Sequence, residues 1–258
     1  MLKKLALVIA FSTLTAGVVY AAGGAGTGIV GSMHDINSAG GGTYQHDKYE
    51  RVCVFCHTPH NAQPNGATPA PLWNHAPSTV NNLDPYNWAS PANGSIAFNA
   101  DPLVGPSRLC MACHDGVTAV DSHGTAGSQT GSTPLTASYQ DSLGNTAKRF
   151  IDDLTVTHPI GFLYDDAATT RGAGEIRPST SGFINSPVTA SFDTVTRAGV
   201  TETPKKIKDT LYSGYMTCAS CHDVHNSVNA KPDAGHNYNY FLYAKQEGSA
   251  ICLSCHVK

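Results

Sequence analysis

The chain has 258 residues, with 16 Lys and Arg against 19 Asp and Glu, and its formal net charge of −3 argues against a nucleic-acid-binding protein. Charged residues are only 14% and aromatics 8%, while 25 Gly and 15 Pro break the chain into loops. Neither a regular helical bundle nor a regular sheet protein is expected, and something other than side chains must fill part of the interior.

In chain order, the first segment is a targeting signal. Lys3 and Lys4 form a short positive region, Leu5 to Val19 is almost wholly apolar, and Val19-Tyr20-Ala21 suits a signal peptidase. Residues 1–21 are therefore read as a cleaved secretory signal, which places the mature protein outside the cytoplasm. The apolar run is short for an anchor of roughly 20 residues. No later segment is long or apolar enough to cross a bilayer, so no membrane span is expected. Residues 22–42 are rich in Gly and Ala and read as a flexible arm carrying His34.

Eight cysteines in an exported chain first suggest disulfides. Their spacing says otherwise. They fall in four pairs, Cys53/Cys56, Cys110/Cys113, Cys218/Cys221 and Cys252/Cys255, and a histidine follows each: His57, His114, His222 and His256. With His at 12 of 258 positions, four out of four by chance has odds of about five in a million. The pattern is C-x-x-C-H. Two thiols three positions apart lie on one face of a helical turn and suit thioether bonds to a haem, and the next residue turns its imidazole to the iron. Zinc ribbons would not require the trailing histidine. Four covalently bound haem c groups are expected.

What fills each sixth iron position decides between a relay and a catalyst. Met33 and Met216 are the only methionines with a plausible reach, so histidine is expected throughout. His60 in Cys-His-Thr-Pro-His and His225 in Cys-His-Asp-Val-His lie three residues beyond a proximal histidine. An i, i+3 pair shares one side of a turn, so neither closes its own haem and each should bind a neighbouring one. The expected wiring assigns His60 to the second haem, His225 to the fourth, His158 to the third and His34 to the first, with His46 and His75 as rivals of His34. His123 and His236 read as solvated loop residues.

The chain repeats a unit of an upstream His, a C-x-x-C-H-x-x-H and a C-x-x-C-H. An N-terminal dihaem unit over 22–120, a linker or insertion over 121–156 and a C-terminal dihaem unit over 157–258 follow, expected as one integrated globule. The fold class is mostly irregular coil, with short helices at the attachment motifs, a few short strands such as Gly182–Ile184 and Val188–Phe192, and a haem chain as organising element. Trp73, Tyr86 and Trp88 read as haem-packing aromatics. Asp152-Asp153 and Asp165-Asp166 read as surface charge in preference to a Ca²⁺ site.

Cys53 to His60, Leu109 to Gly116 and Cys218 to His225 resemble the doubled C-x-x-C-H multihaem cytochromes of metal-reducing bacteria. Four motifs, a secretory signal, an N-terminal Ser-x-His-Asp and a long middle insertion resemble in particular the OmcE-like tetrahaem cytochromes. That resemblance implies head-to-tail homopolymers outside the cell, with a continuous haem chain and with other multihaem cytochromes or extracellular acceptors as partners. An electron carrier is expected, not an enzyme. The alternatives are a periplasmic or surface shuttle and a multihaem reductase, which would need one open iron.

Overall fold

Regular structure is sparse, as the glycine and proline content dictates. A computed structural model of the chain describes residues 28–38, 44–60, 62, 72–78, 80, 83–88, 93–124, 131–136, 138–140, 146–184, 196–197, 200–201, 205–226 and 240–258. These residues are mostly coil with a few short helices. The helices are α1 (Pro106–His114), α2 (Tyr164–Arg171), α3 (Cys218–Cys221) and α4 (Ala250–Cys255), and a 3₁₀ turn spans Val52–Phe55. Two antiparallel ribbons pair β1 (Ser138–Gln140) with β2 (Thr146–Lys148) and β3 (Thr196–Arg197) with β4 (Val200–Thr201).

Helix α1 starts where Pro106 pre-sets the first turn. The preceding Gly105, at φ +56, lies so close to Tyr212 that a Cβ would meet its ring at 2.4 Å. The helix stops at Asp115, whose carboxylate accepts from the amides of Val117 and Thr118 and the hydroxyls of Thr118 and Ser78 at 2.6–2.9 Å. Burial alone would raise that carboxyl's pKa, but these donors outweigh it and hold it below the usual range. In α2, Asp165 and Asp166 occupy the first turn and Arg171 the last, which complements the helix dipole and accounts for the acidic pair as exposed charge.

The largest core cluster joins Ile96, Phe162, Tyr164, Phe183, Ile207 and Met216, with Cys221 and Cys255 packed against it. Trp88 stacks on Phe98 with ring centres 5.1 Å apart and meets Phe162 edge-on, so it belongs to this core. Ile96, Phe98 and Trp88 come from the expected N-terminal unit and the rest from the C-terminal one, which places residues of both around one core. Smaller clusters form around Leu103, Met111 and Leu154 and around Tyr44 and Val120.

Two sequence expectations need correction. Gly182–Ile184 is no strand: Gly182 makes only an isolated bridge to Lys206. Val188–Phe192 lies outside the described residues. The arm is not loose over 28–38 either. The Gly28 amide donates to the Asn226 carbonyl at 3.0 Å, Asn226 Nδ2 donates back to the Gly28 carbonyl at 3.2 Å, and Asp35 Oδ2 accepts from the Gly31 amide. A backbone bond answered by a side-chain amide docks a Gly-rich segment that composition alone marks as free.

Among the described residues no helix is long and apolar enough to cross a membrane.

Candidate functional site

The four attachment motifs are built alike. In the first, third and fourth, the histidine amide closes one helical turn onto the carbonyl of the first cysteine: His57 to Cys53 at 2.8 Å, His222 to Cys218 at 3.1 Å and His256 to Cys252 at 2.8 Å. The chain then turns extended, and each histidine joins a β-bridge, His57 with Trp73, His222 with Leu242 and His256 with Ile176. A turn followed by a bridge fixes the histidine's backbone. The second motif lies in α1 instead. In the third, Thr217 donates its amide to Ser220 Oγ at 2.9 Å and starts α3.

All eight thiols are free of disulfides. Neighbouring motifs approach each other at their sulfurs. Cys110 and Cys218 share a hydrogen bond that raises the first thiol's pKa and lowers the second's to about 7. Burial, and then Cys56, push the Cys113 thiol well up, and burial, followed by Cys255, pushes Cys221 up to about 12. The Cys218 amide also donates to the buried Ser107 Oγ of α1 at 3.1 Å. The second and third attachment points thus touch through Cys110 and Cys218, while Cys56 and Cys113, and Cys221 and Cys255, lie within electrostatic reach of each other.

Histidine orientation follows one rule. Nδ1 faces a backbone carbonyl in His114 (Arg149, 2.6 Å), His222 (Tyr240, 2.9 Å), His158 (Pro159, 3.0 Å) and, more weakly, His34 (Val224, 3.4 Å). A carbonyl only accepts, so Nδ1 carries the proton and Nε2 keeps a lone pair for a metal. Burial, followed by repulsion from His114, lowers the His34 pKa to about 4. Packing around the ring likewise lowers those of His158, His222 and His256, although the His158 and His222 side chains still reach the surface. A neutral imidazole is the form that ligates iron.

Three histidine pairs stand at nearly one spacing. Ring centres are 6.2 Å apart for His34 and His114, 6.2 Å for His57 and His225, and 6.3 Å for His158 and His256. Two imidazoles bound to one metal from opposite sides, each with a metal–nitrogen bond of about 2.0 Å and about 1.1 Å more to the ring centre, give about 6.2 Å. The residues fit a haem held by two thioethers and two axial imidazoles. They do not fit closed zinc sites, because among the described residues no three His, Cys, Asp or Glu side chains converge as a metal-holding group.

The ring neighbours differ from the expected wiring. His225 faces His57 of the first motif, not the fourth. His34 faces His114 of the second, not the first, and His158 faces His256 of the fourth, not the third. A second ligand would come from whatever segment crosses the far side of a bound haem, and sequence order does not report that. Among the described residues no imidazole stands opposite His222 or His60 at this spacing; both reach the surface, as His158 and His225 also do. His46 is exposed, and His236 lies outside the described residues.

His75 is completely buried, with Nδ1 on the Ala76 carbonyl at 3.1 Å, and the paired histidines are not buried in this way. Its Nε2 is buried without a hydrogen-bond partner, but a ring packed on every side leaves no opening for a porphyrin plane, so His75 is left out of the ligand set. His123, expected in solvent, is buried with Nε2 3.0 Å from Asp47 Oδ1. Asp47 also accepts from Arg51 Nη2 at 2.7 Å and Nε at 3.0 Å. The Arg51 hydrogen bonds hold its carboxyl well below the usual range. Sequence reasoning missed the carbonyls of Arg149, Val224 and Tyr240, since any residue type supplies one.

A family model described as the doubled CXXCH motif matches residues 213–258. A search of curated proteins gave no match. The C-x-x-C-H motifs indicate covalent haem c binding, and the matched pair is consistent with a multihaem c-type cytochrome in electron transfer.

Proposed function

We propose that the chain is a tetrahaem electron relay that leaves the cell and assembles head to tail into filaments. Three imidazole pairs at iron-bridging separation carry the relay reading. Cys53 and Cys56, Cys110 and Cys113, Cys218 and Cys221, and Cys252 and Cys255 hold the four haems, with His57, His114, His222 and His256 as proximal ligands. His225, His34 and His158 close the first, second and fourth irons. Haem supplies one-electron chemistry when bound. The chain orients it, keeps water off the iron, and sets the potential through ligand type and burial. Two imidazoles per iron without methionine favour low potentials. The nearness of these sulfurs supports a relay running first to fourth in chain order.

The third iron carries the assembly reading. His222 and His60 are exposed and lack an opposite ring among the described residues, and the first and third motifs share the C-x-x-C-H-x-x-H form. His60 of one copy capping the iron at His222 of the next would make a heterologous contact, which propagates as an open filament. Negative-stain microscopy of the native holoprotein tests this. Filaments that dissolve on His60→Ala, with one high-spin haem appearing per chain, are expected. A monomer with four six-coordinate haems overturns it.

One observation favours a second reading. If His222 stays unopposed in the native state, its iron is open to a small ligand, as a reductase requires. Cyanide binding without displacement of a histidine would support that reading over the relay.

A further inference from the structure

Tyr240 and Phe241 are adjacent non-glycine residues in the left-handed region, at φ +54 and +58. Such backbone is sparsely populated by side-chain-bearing residues and persists only where its surroundings impose it. The surroundings here belong to the third motif and to the arm. The Tyr240 carbonyl receives His222 Nδ1 at 2.9 Å, and the Phe241 carbonyl receives the Asp223 amide. Leu242 bridges His222, and the Tyr243 amide donates to the Cys221 carbonyl at 3.0 Å. The Phe241 ring points the other way, onto His34, with ring centres 4.5 Å apart and planes 12° from parallel.

His34 needs this second hold. Its Nδ1 contact with the Val224 carbonyl is 3.4 Å, beyond the usual hydrogen-bond range, whereas His114, His158 and His222 make theirs at 2.6–3.0 Å. A ligand imidazole without a firm Nδ1 anchor is free to rotate about its metal–nitrogen bond. A parallel aromatic face stops that rotation. The ring planes of His34 and His114 stand at 62°, against 16° for His57 and His225.

We infer that Tyr240 and Phe241 form a clasp that sets the imidazole planes at two neighbouring irons, His34 at the second through the Phe241 ring and His222 at the third through the Tyr240 carbonyl. Both are positioning residues, and the inference rests on the haem reading above. It links the two sites through one dipeptide, so a change at Phe241 reaches the second iron without touching a ligand or a cysteine.

The test is electron paramagnetic resonance of the oxidised holoprotein, with haem counted by pyridine haemochrome. Crossed imidazole planes give a low-spin signal with a large maximum g value, and near-parallel planes give a rhombic one. The wild type is expected to show both classes. Phe241→Leu keeps bulk but not the flat face, and should move one large-g signal towards the rhombic class. Phe241→Tyr should leave the spectrum unchanged. Tyr240→Gly keeps the carbonyl but frees the backbone, and should broaden the third iron's signal. Four haems with a Phe241→Leu spectrum superimposable on the wild type overturn the clasp and leave the haem reading intact. Fewer than four haems in the wild type remove the haem reading and the clasp with it.

Discussion

Replacing His225 by alanine should open the first iron and no other. The ring centres of His57 and His225 are 6.2 Å apart, so their midpoint lies about 3.1 Å from each. With the imidazole removed, the nearest remaining side-chain atom of residue 225 is Cβ, about 5 Å from that midpoint and far outside a metal–ligand bond of about 2.0 Å. One iron in four should turn from low-spin to high-spin and bind added imidazole, which restores the original spectrum. Visible and magnetic resonance spectra of the ferric protein read this directly. A companion chain with Cys53→Ser and Cys56→Ser lacks the first attachment, and adding His225→Ala to it should produce no new high-spin signal. A signal that appears in the companion chain would place His225 on another haem and refute the pairing. So would a single variant that stays fully low-spin.

The buried imidazole of His75 should be dispensable for iron. His75→Leu is expected to keep every low-spin signal and to change the unfolding free energy by less than about 1.5 kcal/mol in guanidinium titrations. Loss of one low-spin signal would make it a ligand. Asp47→Ala breaks the Arg51 and His123 contacts; because Arg51 is 38% exposed and regains water, the cost should be about 2–3 kcal/mol and not the full value of a buried pair. The Asp47 carboxyl is held below its unfolded range, so its contribution is complete above about pH 4 and fades as pH falls towards the folded value. Asp47→Asn should flatten that acid limb in pH-dependent unfolding. Gly161 sits at φ +82 with Pro102 O 2.7 Å from where a Cβ would be, so Gly161→Ala should cost about 1–3 kcal/mol in the same titration, and an unchanged midpoint would contradict the close approach.

The attachment points were legible because covalent chemistry demands cysteines three apart and a histidine next to the second. Coil was legible too, since Gly and Pro act locally. The far ligands were legible as residues but not as partners. His34, His158 and His225 stand beside histidines of motifs far along the chain, and only the folded path decides which. His123 and His75 look alike in sequence to His34, and burial alone separates them. Asp47 approaches the His123 ring from 76 positions away, which no spacing rule reports. Gly182–Ile184 has the side chains of a strand but no neighbouring ladder, and β-propensity without a partner strand yields only a bridge.

The three histidine pairs tie together segments about 80 to 170 residues apart along the chain. In the unfolded state each tie would close a loop of that size, and a covalent cross-link over a loop of about 100 residues removes roughly 4.7 kcal/mol of chain entropy. Coordination bonds break and re-form where covalent links do not, so the effect is conditional on the iron staying bound. The stability of a chain with so thin a core should then track its metal–ligand bonds more closely than its apolar burial. Agents that compete for iron, such as concentrated imidazole, should act on it as denaturants.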